Sequence, residues 1–221
     1  MYNHVRLLHA DTINIYENGN YMDKIAIFGG TFDPIHLAHT KLAETALEEL
    51  GLDKVVFMPN AVSPFKLDTK ISSAEHRCKM IELAIQNDSR LEMTTYEIDK
   101  QGVSYTYDTL QNLSVMYDSC LYFILGYDSV VAIDTWYKGA DILKTFPLIT
   151  AVRPGTDIAL GERKIAEFKK VYDAEIHLLH MPPFDCSSSQ IRDLCRTGQP
   201  INGLVNKLVE EYIINNGLYK D

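Results

Sequence analysis

Two histidines, His36 and His39, lie three residues apart in a stretch that begins with Gly29 and Gly30. On the first turn of a helix, residues three apart share one face, and two imidazoles there could donate N–H hydrogen bonds to phosphate oxygens. The spacing alone leaves two alternatives open. The pair could be structural and cap the helix start, or it could bind a metal, although no Cys, Asp or Glu lies nearby at a suitable spacing.

The glycines favour a ligand that approaches the backbone. Glycine allows such an approach, and a helix N-terminus offers N–H groups and the positive end of a dipole to an anion. The stretch lacks the Gly-Lys-Ser/Thr of a P-loop and the G-x-G-x-x-G of a dinucleotide-binding fingerprint. These absences argue against a kinase, a GTPase and a dehydrogenase.

A second polar cluster, Ser187 to Arg192, opens another predicted helix. Serine hydroxyls and N–H groups at a helix start face one spot, and the planar guanidinium of Arg192 can reach back toward it. Plain N-capping by serine is the alternative interpretation, and this segment taken alone favours it, since serine is a preferred cap residue.

Both segments carry a family resemblance. The segment Gly29 to His39 resembles the first signature of the nucleotidyltransferase α/β-phosphodiesterase superfamily, with Ala38 where the family usually has glycine. The segment Cys186 to Arg192 resembles its second signature, with Cys186 in place of isoleucine. The resemblance implies that the two histidines hold the phosphates of ATP, and that the serine–arginine segment binds its β- and γ-phosphates.

The middle of the chain narrows the resemblance to the bacterial nicotinate-nucleotide adenylyltransferases. The matching segments are Met58-Pro59-Asn60, Pro64-x-Lys66, His76-Arg77-x-x-Met80, Ser104 to Thr109, Gly126-x-Asp128, Trp136-Tyr137, Arg153-Pro154-Gly155 and Asn216 to Tyr219. The resemblance extends from about Lys24 to Tyr219. One departure is Phe65, which stands where the family usually has histidine.

The resemblance implies adenylyl transfer from ATP to nicotinate mononucleotide, which gives nicotinate adenine dinucleotide and pyrophosphate, with Mg²⁺ bound through ATP. The nicotinate ring would stack on Trp136, and backbone N–H groups near Thr106 and Tyr137 would take its carboxylate. Asp128 would take a ribose hydroxyl and Lys66 a phosphate. A nicotinamide-mononucleotide adenylyltransferase and a non-catalytic nucleotide-binding regulator remain as alternatives.

The implied roles fall into three sets. The catalytic set is His36, His39 and Arg192. The ATP-binding set is Gly29, Gly30, Thr31, Phe32, Gly126, Asp128, Ser188, Ser189 and Arg192. The set that binds nicotinate mononucleotide is Lys66, Tyr105, Thr106, Trp136, Tyr137 and Arg153. No metal site made by the protein alone is expected.

A second H-x-x-H, His177 to His180, lies in a predicted strand. Residues three apart in a strand point to opposite faces of the sheet. We therefore interpret this pair as structural.

The elements that must position these residues alternate between strands and helices. Apolar strands are predicted at residues 24–28, 55–58, 91–98, 121–125, 148–152 and 175–180. This order predicts an α/β protein, a Rossmann-like doubly wound parallel sheet with a small C-terminal helical segment. Ligands bind at the carboxyl ends of such strands, so we expect the site in the loops that follow them.

Two helix starts and the domain limits can also be predicted. Ser72 and Glu75 have the spacing of a capping box, and the last helix is expected at residues 204–216. Residues 1–22 are expected to be a flexible N-terminal extension, with a short strand at 12–16 as the competing interpretation. Residues 23–221 are expected to form one nucleotidyltransferase domain.

The composition limits the partners. With 21 basic and 30 acidic side chains among 221 residues, the formal net charge is −9, which argues against nucleic acid and anionic membranes. ATP is not excluded, because screening over about 8 Å isolates a locally basic pocket from surface acids. The four cysteines form no C-x-x-C pair, which indicates reduced thiols and a cytoplasmic protein. Homo-oligomer formation stays open.

Overall fold

The computed structural model describes residues 16–17, 20–61, 71–100, 103–152, 158–179, 181 and 186–220. Its centre is a six-stranded, all-parallel sheet. The strands are β3 (Lys24–Gly30), β4 (Lys54–Pro59), β5 (Leu91–Met93), β6 (Cys120–Ile124), β7 (Leu148–Ala151) and β8 (Ile176–Leu179). A short antiparallel pair, β1 (Tyr16–Glu17) and β2 (Asn20–Tyr21), precedes them.

The strand order is β5-β4-β3-β6-β7-β8. The chain builds outward from β3 in one direction and then crosses back to start the other half with β6. This is the doubly wound arrangement that the strand–helix alternation predicted. Its switch point lies between β3 and β6, where such sheets form their ligand crevice.

Within the described part of the chain, nine α-helices and one 3₁₀ turn accompany these strands, and the last two helices follow β8. They are α1 (Leu37–Leu50), α2 (Ala74–Ile85), α3 (Tyr96–Asp99), α4 (Thr106–Tyr117), α5 (Tyr127–Val131), the turn Ile133–Thr135, α6 (Gly139–Thr145), α7 (Ile158–Tyr172), α8 (Ser188–Arg196) and α9 (Lys207–Asn215). Among these helices, none combines the length and the apolarity that a membrane crossing requires.

The core lies on both faces of the sheet, because successive strand residues point to opposite sides. Ala26 and Phe28 pack with residues of α1, α2, α8 and α9 on one face. Ile25 and Ile27 pack with residues of α4, α5, α6 and α7 on the other. A strand buried on both faces reads as the continuous apolar run seen at β3.

The expected strand at residues 91–98 is wrong beyond Met93. The Thr94 N–H still donates to the Phe57 carbonyl at 2.9 Å, but the next bond of the ladder would need an N–H from Pro59. Proline has none, so the pairing ends and the chain turns into α3.

Two helix starts also differ from the prediction. The cap of α2 is Ser73, whose hydroxyl accepts from His76 N–H at 3.3 Å, and not Ser72. Helix α9 starts at Lys207 and not near Leu204, because the Asn206 side chain caps it by accepting from Leu208 N–H at 2.9 Å. The region between β6 and β7 contains α5, the 3₁₀ turn and α6, which the sequence analysis did not predict.

Candidate functional site

The loop after β3 is packed tightly against its own strand. Phe32 adopts a left-handed backbone conformation, with φ of 50°, and its side chain is 2% exposed. A Cβ added to Gly30 would lie 2.8 Å from Cζ of Phe32, so only glycine leaves room for this ring. Because the ring is part of the core, any ATP contact from Phe32 would come from its backbone.

The two histidines form one unit at the start of α1. His36 is the N-cap residue and is 3% exposed. Its N–H donates to Nδ1 of His39 at 3.2 Å, and the two rings stack with centroids 3.6 Å apart. Since Nδ1 of His39 accepts, the proton of the neutral ring lies on Nε2, which makes Nε2 a donor. The pair is therefore both a helix cap and a source of N–H donors.

The serine–arginine segment meets this loop across the fold. Ser188 Oγ donates to the Pro34 carbonyl at 2.9 Å, and Arg192 Nη1 donates to the Asp33 carbonyl at 2.7 Å. Arg192 Nη2 also donates to Ser189 Oγ at 3.2 Å. Residues 154 and 159 positions apart are thus brought together. We call residues 29–39 together with 187–192 the histidine end.

Side chains outside both sequence segments hold the same loop. The Asp33 carboxylate is 3% exposed and accepts from Tyr219 hydroxyl at 2.6 Å and from Ser72 N–H at 3.2 Å. Arg77 Nη1 donates to the Thr31 carbonyl at 2.9 Å. Burial lowers the pKa of Arg77, and the nearby Asp33 opposes that shift. Sequence reasoning assigned no role to Asp33, Arg77 or Tyr219, although each lies in a segment that carries the family resemblance.

Gly126 and Asp128 follow β6, the strand beside β3. Gly126 is the N-cap of α5, and a Cβ added there would meet nothing within 4 Å. Asp128 lies in the first turn of α5 and is exposed. Both therefore lie at the carboxyl edge of the sheet, next to the switch point.

Aromatic residues from two distant segments meet in a second cluster. Tyr105 caps α4 and Thr106 begins it, and the Tyr105 and Tyr137 rings lie with centroids 4.5 Å apart. These two rings are 45% and 48% exposed. Trp136 is partly buried against the α4 side of the core. We call residues 105–108 together with 136–138 the tyrosine end.

Sequence reasoning missed Lys138 at the tyrosine end. Its ammonium lies 4.5 Å from the ring centroid of Tyr107, 5.2 Å from that of Tyr137 and 3.7 Å from Asp108 Oδ1. The signal that could have identified Lys138 was its position in the sequence, directly after Trp136 and Tyr137.

Two residues of the predicted site, and one histidine of the pair interpreted as structural, cannot be placed. Lys66, Arg153 and His180 lie outside the described residues. His177 lies in β8, where its Nε2 contacts Glu175 Oε1 at 2.7 Å. In the part of the chain that the structure describes, no group of three or more His, Cys, Asp or Glu residues could hold a metal ion.

Comparisons with known proteins were made on sequence and on structure. The model of the cytidylyltransferase-like family matches residues 27–194. A probable nicotinate-nucleotide adenylyltransferase of Caldicellulosiruptor saccharolyticus is 39% identical over 198 residues, which are 90% of this chain and 100% of that protein. One of Thermoanaerobacter sp. (strain X514) is 37% identical over 89% of this chain and 94% of that protein.

The solved structures agree on the fold. Plasmodium falciparum nicotinic acid mononucleotide adenylyltransferase, complexed with NaAD, superposes with a TM-score of 0.75 at 23% identity, over 89% of this chain and 97% of that chain. The same enzyme complexed with APC gives a TM-score of 0.73 over the same shares of the two chains.

Proposed function

We propose a function on the premise that this chain belongs to the nicotinate-nucleotide adenylyltransferases within the cytidylyltransferase-like family. It transfers the adenylyl group of ATP to nicotinate mononucleotide and releases pyrophosphate, a step of NAD biosynthesis. The observation that carries this function is the convergence of the histidine pair and the Arg192 segment on one loop at the switch point of the sheet.

The reaction needs positioning more than proton transfer. A phosphate oxygen of nicotinate mononucleotide forms a bond to the α-phosphorus of ATP, and the bond from that phosphorus to the pyrophosphate oxygen breaks. The attacking oxygen is already anionic, so neither a general base nor a covalent intermediate is required. Catalysis then comes from holding two anions in line and from stabilising the charge that develops on the phosphates.

The histidine end supplies the donors in this proposal. His36 and His39 bind phosphate oxygens through imidazole N–H groups, and Arg192 adds a guanidinium that has more donors than its bonds to Asp33 and Ser189 use. The glycines at the end of β3 and the N-termini of α1 and α8 add backbone N–H groups. Ser188 holds Pro34 in place through its hydroxyl proton and keeps lone pairs for further bonds.

A divalent cation fits this site as a companion of ATP. The side chains around the loop are imidazole, guanidinium and hydroxyl groups, and the carboxylate of Asp33 accepts from Tyr219 and Ser72. The cation, which we propose is Mg²⁺, is therefore held mainly by phosphate oxygens. When bound, it neutralises part of the triphosphate charge.

The tyrosine end is the proposed binding site of nicotinate mononucleotide. Trp136 offers a flat surface to the ring, and Tyr105 and Tyr137 border it with half-exposed rings. The backbone N–H groups at Thr106 and Tyr137 would receive the carboxylate, because the start of α4 favours an anion.

Paired initial rates test the function. With ATP and Mg²⁺ present, pyrophosphate release is expected with nicotinate mononucleotide and much less with nicotinamide mononucleotide. Equal or faster release with the amide would identify the nicotinamide enzyme instead. Binding of ATP with no release from either mononucleotide would point to a nucleotide-binding regulator. The His39→Ala protein, purified in the same way, controls for contaminating activity.

A further inference from the structure

The end of α9 turns the chain back toward the histidine end. Gly217 adopts a left-handed conformation with φ of 61°. The N–H of Gly217 donates to the Ile214 carbonyl at 3.2 Å, and the N–H of Leu218 donates to the Ile213 carbonyl at 3.0 Å. These two bonds define a Schellman motif, in which glycine is the preferred residue at the turn. Leu218 then packs on the core cluster, and Tyr219 follows it inward.

Tyr219 reaches a residue 186 positions earlier in the chain. Its hydroxyl donates to Asp33 Oδ1 at 2.6 Å, which is short for a hydrogen bond and is typical of a charged acceptor. The other oxygen, Oδ2, accepts from Ser72 N–H at 3.2 Å. A buried carboxylate is costly unless donors satisfy it, so the Tyr219 hydroxyl and the Ser72 N–H together stabilise the Asp33 side chain.

Asp33 connects the Tyr219 hydroxyl to the rest of the histidine end. The same residue that accepts from Tyr219 through its side chain accepts from Arg192 through its carbonyl, at 2.7 Å. Three positions later the chain reaches His36, the N-cap of α1. A shift of Asp33 would therefore move both the guanidinium and the histidine pair.

We propose that Tyr219 is a positioning residue for adenylyl transfer, which holds the Asp33 carboxylate and thereby fixes the Arg192 guanidinium and the His36–His39 pair for the ATP phosphates. The inference rests on the function proposed above. Burial, with the charge of Asp33, raises the pKa of Tyr219, so the hydroxyl keeps its proton and stays a donor at neutral pH.

The chain provides a matched control for this role. Tyr212 lies on α9, and its hydroxyl shares a 2.9 Å hydrogen bond with His76 Nδ1 on α2. Removing either hydroxyl therefore deletes a hydrogen bond between the C-terminal segment and the rest of the fold. The Tyr219 hydroxyl also has a weak 3.9 Å contact with Met80 Sδ. Only the Tyr219 bond reaches the loop after β3.

The experiment compares Tyr219→Phe with Tyr212→Phe. For each variant, kcat, KM for ATP, KM for nicotinate mononucleotide and the melting temperature are measured, with assays run well below both melting temperatures. We expect Tyr219→Phe to lower kcat/KM for ATP about tenfold, the scale of one hydrogen bond to a charged group. KM for nicotinate mononucleotide should stay near the wild-type value. Tyr212→Phe should lower the melting temperature without a selective loss toward ATP.

Several results would overturn the proposal. Unchanged kinetics in Tyr219→Phe would do so, as would an equal rise in KM for both substrates or the same kinetic changes in Tyr212→Phe. If Tyr219→Phe does not fold, Asp33→Asn weakens the same hydrogen bond from the acceptor side, and an unchanged kcat/KM for ATP then contradicts the role. If the wild-type protein releases no pyrophosphate, the proposed function fails. The role of Tyr219 can then still be tested by calorimetry, because the affinity for ATP must be weaker in Tyr219→Phe than in the wild type.

Discussion

The histidine end and the tyrosine end are built differently. At the histidine end, Phe32, Asp33 and His36 are buried. Side chains from α2 and α8 donate to backbone carbonyls of the loop, and the Tyr219 hydroxyl donates to the Asp33 carboxylate. At the tyrosine end, Tyr105 and Tyr137 are about half exposed and contact each other. An exposed ion pair lies beside these rings, with Lys138 Nζ 3.7 Å from Asp108 Oδ1.

The difference matches what each substrate group requires. Stabilising charge on phosphates depends on donors that are already in place, because moving them during the reaction would cost free energy. A flat ring needs apolar surface, which side chains can complete around it as it binds. We therefore expect changes at the histidine end to affect turnover, and changes at the tyrosine end to affect the KM of the mononucleotide.

The largest effect is expected at His39. His39→Ala removes a preorganised N–H donor and should lower kcat at least about 100-fold. His39→Asn should be nearly as inactive, since its amide can still accept from the His36 N–H but no longer places a donor at the Nε2 position. His177→Asn, in the second H-x-x-H, is the matched control and should keep its turnover. Near-normal turnover of a folded His39 variant, in steady-state assays, contradicts the role.

The packing of the histidine end can be tested at Gly30. Gly30→Ala places a Cβ 2.8 Å from the Phe32 ring and should lower the free energy of unfolding by about 2 kcal/mol, the usual scale for overpacking. Gly126→Ala is the control for stability, because its Cβ meets nothing within 4 Å. Denaturant unfolding of both variants measures the difference. Equal stability of the two variants would mean that the loop of the histidine end is not tightly packed, and would contradict the difference between the two ends.

At the tyrosine end, Trp136→Ala should raise KM for nicotinate mononucleotide about tenfold, within the range for one aromatic stacking contact. KM for ATP should stay close to the wild-type value. Trp136→Phe keeps a flat ring and should recover part of the loss. A fall in kcat as large as that of His39→Ala would break the division between the two ends.

The smallest effect concerns Glu97, which is buried and accepts from the hydroxyl of Thr109 on α4 at 3.1 Å. Burial raises the pKa of Glu97, and the Thr109 bond opposes this. The folded protein then holds a proton that the unfolded chain has already lost, so stability falls as pH rises from the ordinary glutamate value of about 4.3 to the raised value. Glu97→Gln removes this fall in stability with pH, because glutamine does not titrate.

The melting temperature of Glu97→Gln, relative to wild type, should therefore increase as the pH is raised from about 4 to about 8. Thr109→Val is the companion variant, because it removes the hydroxyl that favours the charged carboxylate. A pH-independent difference between Glu97→Gln and wild type would contradict the expected sign.

Several parts of the fold followed from local patterns. The apolar residues of α1 recur at helical spacing, and glycine follows at position 51, where the helix ends in a left-handed conformation. The continuous apolar runs predicted the buried parallel strands. The error at β5 arose because a neighbouring element decided the outcome: Pro59 on the adjacent strand could not continue the ladder beyond Met93.

The candidate site likewise combines features that were visible in the sequence with features that were not. The types and spacing of His36, His39 and Arg192 were visible in the chain, and so was the aromatic pair at Trp136 and Tyr137. The burial of Phe32 was not, because it depends on a backbone conformation that local propensity disfavours for any residue other than glycine.

What the sequence determined by itself was the set of chemical groups and the order of strands and helices, since residue type and short periodicity act over a few positions. Only the tertiary structure decided which distant groups meet: Tyr219 with Asp33, Arg192 with the Asp33 carbonyl, and Tyr105 with Tyr137. The physical reason is that these contacts depend on the crossing of the chain between β3 and β6 and on the return of its C-terminus. Such long-range geometry leaves no periodic trace in the residues that it joins.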